Sequence, residues 1–542
     1  MKDIFKFLPE DAKCFIISTA DEFLLEYSPP HSRRLEFITK FTGSNGIAVI
    51  CKNGKSFFFT DGRYLLQASK ELNLEEFEVP IDIANFKDFA RKNFKEVYFD
   101  PKIHSFSFIK SLKEEGIELK EILNENPIDQ LWKDRPSQKE VKTYDFKLAG
   151  ETREKKLQKV IQHLKEQEAD ALFIFDQTEV AWLLNTRGDY LQNTPISNFF
   201  VIVSRETGKH EIVRYEEIEK KIKFPKIILP KNISVHIVNV LSKTCGKVIF
   251  DKHDFILNLK SVKTESEIEC IRKAHIEDGK ALSQFLEWVK KSFNSKNPEK
   301  GTEFTLGKKL FECRSKAKGF KGESFETICG FAENGAIIHY RAEEKNAKSI
   351  EGRGLLLIDS GGQYYDENLG ICGTTDVTRV ISIGAPTPEE KYNYTLVLKG
   401  HIALATAIFP EGTTGGGLDI LARQFLFQNG MNYAHGTGHG VGYFLGVHEG
   451  PASISKYSNV PLKEGMIISN EPGFYLEGKY GIRIESLLLV KKSSAFDNFL
   501  EFETLTKVPP EKELLDFSIL SDGEIEWLVN YQKDIDQIGS SI

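Results

Sequence analysis

LLLIDSGGQYYDENLGICGTTDVTRVISI, residues 355–383, is the stretch whose reading decides the fold. Leu355 to Ile358 run unbroken into Asp359, and Ser-Gly-Gly follows. A short apolar run bounded by turn residues reads as a buried strand. A carboxylate at its exit is held rigidly, and the glycines let backbone approach closely. Further on, Asp376 opens an alternating segment, with Val377, Ile381 and Ile383 on one face and Asp376 and Thr378 on the other. That period of two projects Asp376 off the apolar face of a sheet.

Three more motifs add ligand-type residues. His439 lies in HGTGHGVGYFLGVHEGP (435–451), Glu471 in ISNEPGFY and Glu485 in GIRIES. Taken alone, each residue reads as a turn, a cap or a solvated side chain. Together, Asp359, Asp376, His439, Glu471 and Glu485 are the inventory for two adjacent divalent cations that share bridging oxygens. A two-metal site activates water and clamps both ends of a displacement, so hydrolysis is the expected chemistry. The histidine-rich stretch satisfies GxGxxG in no register and lacks a GK[ST] ending, which argues against nucleotide binding. Flexible glycines interleaved with His435, His439 and His448 point instead to a metal and substrate loop. His339, in NGAIIHYRA, is a candidate for an imidazole that supports the ligands or contacts substrate.

The bulk numbers bound the setting. At 542 residues the chain is expected to form three or four domains. A hydrophobic content of 40% and a charged content of 28% fit a globular enzyme. The net charge of −7 gives no global attraction to nucleic acid or an anionic membrane. No run of apolar residues is long enough for a membrane helix. The opening MKDIFKFLPEDAKCF has no apolar stretch followed by a small-residue cleavage site, so a cytoplasmic location is expected. Seven scattered cysteines without a CxxC pair read as dispersed thiols in a reducing compartment. Cys329 and Cys372, near the site in sequence, read as small buried hydrophobes.

Along the chain, GIAVICKNGKSFFFTDGRYLLQ signals a hairpin around Lys52-Asn53-Gly54. The polar stretch at 129–145 reads as a linker. Beyond it, Leu157, Val160, Ile161 and Leu164 have the spacing of an amphipathic helix, and ALFIF (171–175) that of a buried strand. Thr264 with Glu267 forms a capping-box signal, and Leu282, Phe285, Leu286 and Val289 supply the apolar face of the helix that follows. The apolar residues of FLEFETLT fit either a core or a subunit contact. The expected domains are 1–135, 136–262 and 263–542.

Taken in order, the motifs resemble the metal-dependent pita-bread peptidases, and within them the long cytosolic X-prolyl aminopeptidases. DEFLLEYSPPHSRRLEFITKFTGSNGIAVI and TDGRYLLQ are similar to the family's first domain, and EVAWLLNTRGDY to its second. SFETICGFAENGAIIHYRA, VLKGHIALATAIFPEGTTGG, HGTGHGVGYFLGVHEGP and NEPGFYLEGKYGIRIES are similar to its catalytic domain. The tail FLEFETLTKVPPEKELLD and EIEWLVNY is similar as well. The resemblance implies an α/β (α+β) fold: two creatinase-like N-terminal α/β domains, then a C-terminal pita-bread catalytic domain. It implies Asp359 on one metal, His439 and Glu471 on the other, and Asp376 and Glu485 bridging both. The expected ions are two Mn2+, with Co2+ or Zn2+ as alternatives. It further implies catalytic roles for His339, His448 and Glu471, substrate contacts from His339, His435, His448 and Arg483, and a homodimer. The implied reaction is release of the N-terminal residue from peptides with proline second, through a hydroxide bridging the two metals. Prolidase action on Xaa-Pro dipeptides and a metal-free pita-bread binding protein are the alternatives.

One departure stands out. The family's two aspartates are normally eleven residues apart, and here Glu367 to Cys372 lengthens the turn between them. A hairpin absorbs such an insertion at its tip while both strands keep register, at small entropic cost. A one-residue slip would instead turn Asp376 away from the metals.

Overall fold

The structure, a computed structural model, describes residues 1–122 and 124–540. It divides into two compact units: 1–146, 151–191 and 195–256 form the first, and 147–150, 192–194 and 257–542 the second.

The first unit holds two mixed sheets. In the six-stranded one, Cys14–Ser18 lies between Ile47–Cys51 and Glu96–Phe99. The hairpin expected around Asn53 joins Ile47–Cys51 to Phe57–Thr60, and Gly54 takes a φ of +74°, which a side chain would strain. The five-stranded sheet has Ala171–Ile174 at its centre and Lys226–Leu229 and Lys247–Phe250 parallel beyond it. Its helix Arg153–Glu166 starts on the Thr152 cap and buries Val160 and Leu164, as the spacing predicts. The linker reading needs trimming. Its first residues finish the helix Pro127–Leu131 and its last form the strand Thr143–Asp145. The cysteines are not all dispersed either, because Cys14 and Cys51 are cross-strand partners.

The second unit carries the five ligand-type residues. Its long helix, Glu265–Phe293, begins with the Thr264–Glu267 capping box. Leu282, Phe285, Leu286 and Val289 pack on Leu356, Ile358, Ile381 and Ile383 of a three-stranded antiparallel sheet. Burying each of these side chains contributes about 1.5–3 kcal/mol. Leu355, Leu357 and Val380 point the other way, into a second core with Tyr394, Val397 and Ile402 of helix Pro388–Ala405. This sheet is therefore covered on both faces, and all seven residues of Val377–Ile383 are buried.

The insertion resolves as a hairpin. Gly362–Asp366 pairs with Ile371–Thr374, from Gln363 opposite Thr374 to Asp366 opposite Ile371. The added residues form its tip and first rungs, so register passes through unbroken.

A six-stranded antiparallel sheet completes the unit, running Ile408–Pro410, Phe499–Thr504, Ser486–Lys492, Ile467–Asn470, Gly438–Gly440 and Glu449–Ile454. Leu500 and Phe502 pack in its core against Phe409, Leu488 and Val490. Of the two readings of FLEFETLT, core packing is the one realised. No helix among the described residues is long and apolar enough to cross a membrane.

Candidate metal centre

Asp359 sits in the strand Gly354–Ser360 directly opposite Thr378, and Asp376 immediately precedes the strand that carries Thr378. Parity puts both carboxylates on the Leu355–Val380 face. A backbone bond from Glu485 N to Thr378 O, 3.1 Å, ties the GIRIES segment to the same edge. Thr378 Oγ1 then donates to Glu485 Oε2 at 2.7 Å.

His439 comes from the six-stranded sheet. The flexible-loop reading of its glycines is corrected here, because Gly438–Gly440 is a strand. A Cβ on Gly438 would lie 1.9 Å from Ser469 O, and one on Gly440 2.1 Å from Glu449 O. These glycines are demanded by close backbone packing, which fixes the imidazole rather than freeing it. Ser469 adds to that: His439 N donates to Ser469 Oγ at 2.9 Å, and Ser469 Oγ donates to Glu471 Oε1 at 3.0 Å.

The ligand atoms converge. One oxygen each from Asp376 and Glu485 and a ring nitrogen of His439 lie within 4.8 Å of one another. His439 Nε2 is 3.3 Å from Glu471 Oε1 and 3.5 Å from Asp376 Oδ2. Its Nδ1 is 2.9 Å from the Gly440 carbonyl, an acceptor only, so Nδ1 carries the ring hydrogen. The neutral ring thus turns a bare lone pair toward two carboxylates, an arrangement that requires a proton or a cation between them. Asp359 Oδ1, buried and without a hydrogen-bond partner among the described residues, makes the same demand. The donor set, oxygen-rich with one imidazole, fits divalent cations.

Electrostatics agree. Burial first, and then the charges of Asp376, Asp359 and Glu471, push Glu485 well above the usual carboxylate range. Glu471 is raised by burial and by Asp376 and Asp359, against the pull of His439 and Arg483. Asp359 is raised by burial and Asp376, with Arg483 opposing. His439 goes up to about 9, because its bond to Asp376 and the charges of Glu471 and Asp376 outweigh burial. Each shift marks a site overloaded with negative charge, which cations neutralise.

Arg483 needs a correction. Grouped above with the substrate contacts, it is only 2% exposed. Its Nη2 donates to Asp359 Oδ2 at 2.6 Å, its Nη1 to Tyr475 Oη at 2.7 Å and its Nε to Thr378 Oγ1 at 3.1 Å. It braces the ligands from behind. His435 stands on the same brace: its Nδ1 lies 2.7 Å from Gly436 O, so Tyr475 Oη donates to its Nε2 at 2.8 Å. His448 packs edge-on against His439, ring centroids 4.4 Å apart. His339 follows Ile338, whose carbonyl accepts from Arg483 Nη2 at 3.4 Å.

Thr378, Ser469 and Tyr475 were missed as site residues. Thr378 and Tyr475 had a signal, since the first shares a strand face with Asp376 and the second closes the Glu471 motif. The buried group Lys260, Lys263 and Glu449 had none. Both lysines pair with Glu449, Lys260 at 2.8 Å, and anchor the backbone just after His448.

Acidic side chains and an imidazole converging between two buried sheets define a metal-dependent hydrolase site in a pita-bread fold. Comparison with known proteins agrees. Residues 13–130 and 133–267 each match the creatinase/prolidase N-terminal domain, 269–492 metallopeptidase family M24, and 498–540 the C-terminal region of peptidase M24. A probable Xaa-Pro aminopeptidase P of Laccaria bicolor is 36% identical over 96% of this chain and 87% of its own length. One of Paracoccidioides brasiliensis is 34% identical over 96% and 92%. Among solved structures, the X-prolyl aminopeptidase of Caenorhabditis elegans, described as a cytosolic enzyme with a di-nuclear active site, superposes with a TM-score of 0.89. It is 28% identical and covers 98% of this chain and 92% of its own. A prolidase from Pyrococcus furiosus, 26% identical with a TM-score of 0.51, covers 64% of this chain and 98% of its own. The chain belongs to metallopeptidase family M24, with creatinase N-terminal domains ahead of a pita-bread catalytic domain.

Proposed function

We propose that this protein releases the N-terminal residue from peptides whose second residue is proline. The observation that carries the reading is the convergence of Asp376, His439 and Glu485, with Glu471 beside them and Asp359 on the same face. The activity named for its relatives and for the nematode enzyme supplies the substrate class. The prolidase likeness leaves about a third of this chain without a counterpart, which favours the aminopeptidase.

In this reading Asp359, Asp376, His439, Glu471 and Glu485 would together hold two divalent cations, with Asp376 and Glu485 placed to be shared between them. Mn2+ is the first choice, with Co2+ or Zn2+ acceptable to the same donors. When bound, such a pair supplies a nucleophilic hydroxide near neutral pH and polarises the scissile carbonyl. The chain's own residues do the rest. Glu471 takes up a proton at a carboxylate oxygen and delivers it to the leaving nitrogen, which as a tertiary amide has no hydrogen of its own. His448 and His339 donate toward the developing oxyanion, and His435 contacts substrate. Arg483, Thr378 and Ser469 hold Asp359, Glu485 and Glu471 in register for this. The domain limits 135/136 and 262/263, a cytoplasmic location and a homodimer complete the proposal.

Arg-Pro-Pro and Gly-Pro, offered to chelator-stripped and Mn2+-restored protein, test it. Release of arginine from the tripeptide only after metal is restored, and its loss in Asp376→Ala, is the expected result. Cleavage confined to the dipeptide would move the reading to a prolidase. No cleavage and no metal uptake would make the chain a binding protein.

A further inference from the structure

We propose that Cys14 and Cys51 form a dithiol that small-molecule disulfides oxidise to an internal disulfide, a redox-modification site independent of the metal centre. The two residues lie 37 apart in sequence but face each other in the antiparallel pair of Cys14–Ser18 with Ile47–Cys51. Their sulfurs are 3.2 Å apart. The ladder around them has a specific form. Lys52 N donates to Lys13 O at 2.8 Å, and Cys51 N donates to Ser56 Oγ at 3.1 Å, so the two cysteines are a non-hydrogen-bonded pair. Facing Cα atoms at such a position are about 4.5 Å apart, inside the span a disulfide bridges. Bond formation then needs only roughly 1 Å of side-chain travel, with both strands in place.

The pair is asymmetric in the way exchange chemistry uses. Cys14 is half-buried and Cys51 buried. The S–H···S contact with Cys51, together with the charge of Lys13, holds the half-buried Cys14 thiol below its ordinary value against burial. Cys51 is pushed up by the same bond and by burial. Cys14 is therefore the sulfur that attacks and Cys51 the one that resolves.

The balance closes with a disulfide of a small thiol, RSSR, as oxidant. Cys14 thiolate attacks one sulfur, forming a mixed disulfide and releasing RS⁻, which takes up the proton Cys14 gave. Cys51, losing its own proton, attacks Cys14 Sγ and displaces the second RS⁻, which takes up that proton. Two electrons and two protons pass to RSSR, giving two RSH and one Cys14–Cys51 bond. The closed loop restricts the unfolded chain, so the oxidised form is the more stable one.

Full-length protein incubated with oxidised glutathione, then analysed by intact mass and peptide mapping, tests this. The expected result is loss of two hydrogens, a Cys14–Cys51 cross-linked peptide, and a Tm rise of several degrees that dithiothreitol reverses. In Cys51→Ser the glutathione adduct on Cys14 has nothing to resolve it and accumulates about tenfold above wild type. Adducts confined to other cysteines, or an unmodified Cys14 in both proteins, would overturn the proposal. So would a Cys14 adduct that persists equally with and without Cys51.

Discussion

His439 and the carboxylates around it give the metal-free protein a characteristic pH dependence. With a folded value of about 9 against an ordinary 6.5, the His439 contribution to stability is fully present below 6.5 and lost as pH rises through about 9. Asp359, Glu471 and Glu485 are raised too, so the folded state also holds their protons more tightly, and the sign is the same. The Tm of chelator-stripped protein is expected to fall between pH 6.5 and about 9, most steeply in wild type and less in His439→Asn. Divalent metal should flatten the profile and release protons on binding. A stripped protein that gains stability across that range would disprove this account. A second expectation concerns the brace. Arg483→Met removes the donor to Asp359 Oδ2, and Thr378→Val the donor to Glu485 Oε2. Each is expected to weaken metal affinity or activity about 10–100-fold, read by competition with a fluorescent chelator.

Strands set where the ligands can stand. The narrow strand Gly438–Gly440 fits between Ser469 and Glu449 because it has no Cβ at its ends. Gly438→Ala must move backbone to escape the 1.9 Å approach to Ser469 O, so metal uptake is expected to be lost. Gly417→Ala, whose Cβ meets nothing closer than Thr413 Cγ2 at 3.6 Å, an ordinary van der Waals contact, serves as the control and should stabilise its helix by about 0.5–1 kcal/mol. The hairpin makes the opposite case. Since Gly362–Asp366 and Ile371–Thr374 keep their pairing, replacing Glu367 to Gly370 with Asn-Gly is expected to leave Mn2+-dependent hydrolysis within about threefold. A collapse of activity in that variant would show that the hairpin tip does more than turn the chain.

At the scale of the molecule, the ligand cluster belongs to one compact unit. Metal that binds the folded state stabilises it by about 2.7 kcal/mol at a hundredfold excess over Kd. Calorimetry is expected to resolve two transitions, with added Mn2+ raising only the one that carries residues 257–542. A single transition, or a shift of both, would show that the units unfold together.

Much of this was legible in the chain. The five ligand-type residues, the long capped helix and the hairpin around Asn53 rest on local signals: ends of apolar runs, a capping box, a turn residue. These persist whatever the rest of the chain does. What the sequence could not decide depends on groups distant along it. The role of Arg483 depended on whether Asp359, far upstream, lay behind its guanidinium or in front of it. The glycines beside His439 read as freedom until Ser469 and Glu449 closed around them. The pairing of Lys260 and Lys263 with Glu449, and of Cys14 with Cys51, exists only once strands and helices have docked. Sequence by itself determined which side chains could hold metal and, through the family its motifs resemble, that the architecture was α/β, because motifs and the apolar runs that carry them are local properties. Tertiary structure alone decided which way each side chain faces and what it touches, because close packing and hydrogen-bond geometry are settled only between segments brought together in space.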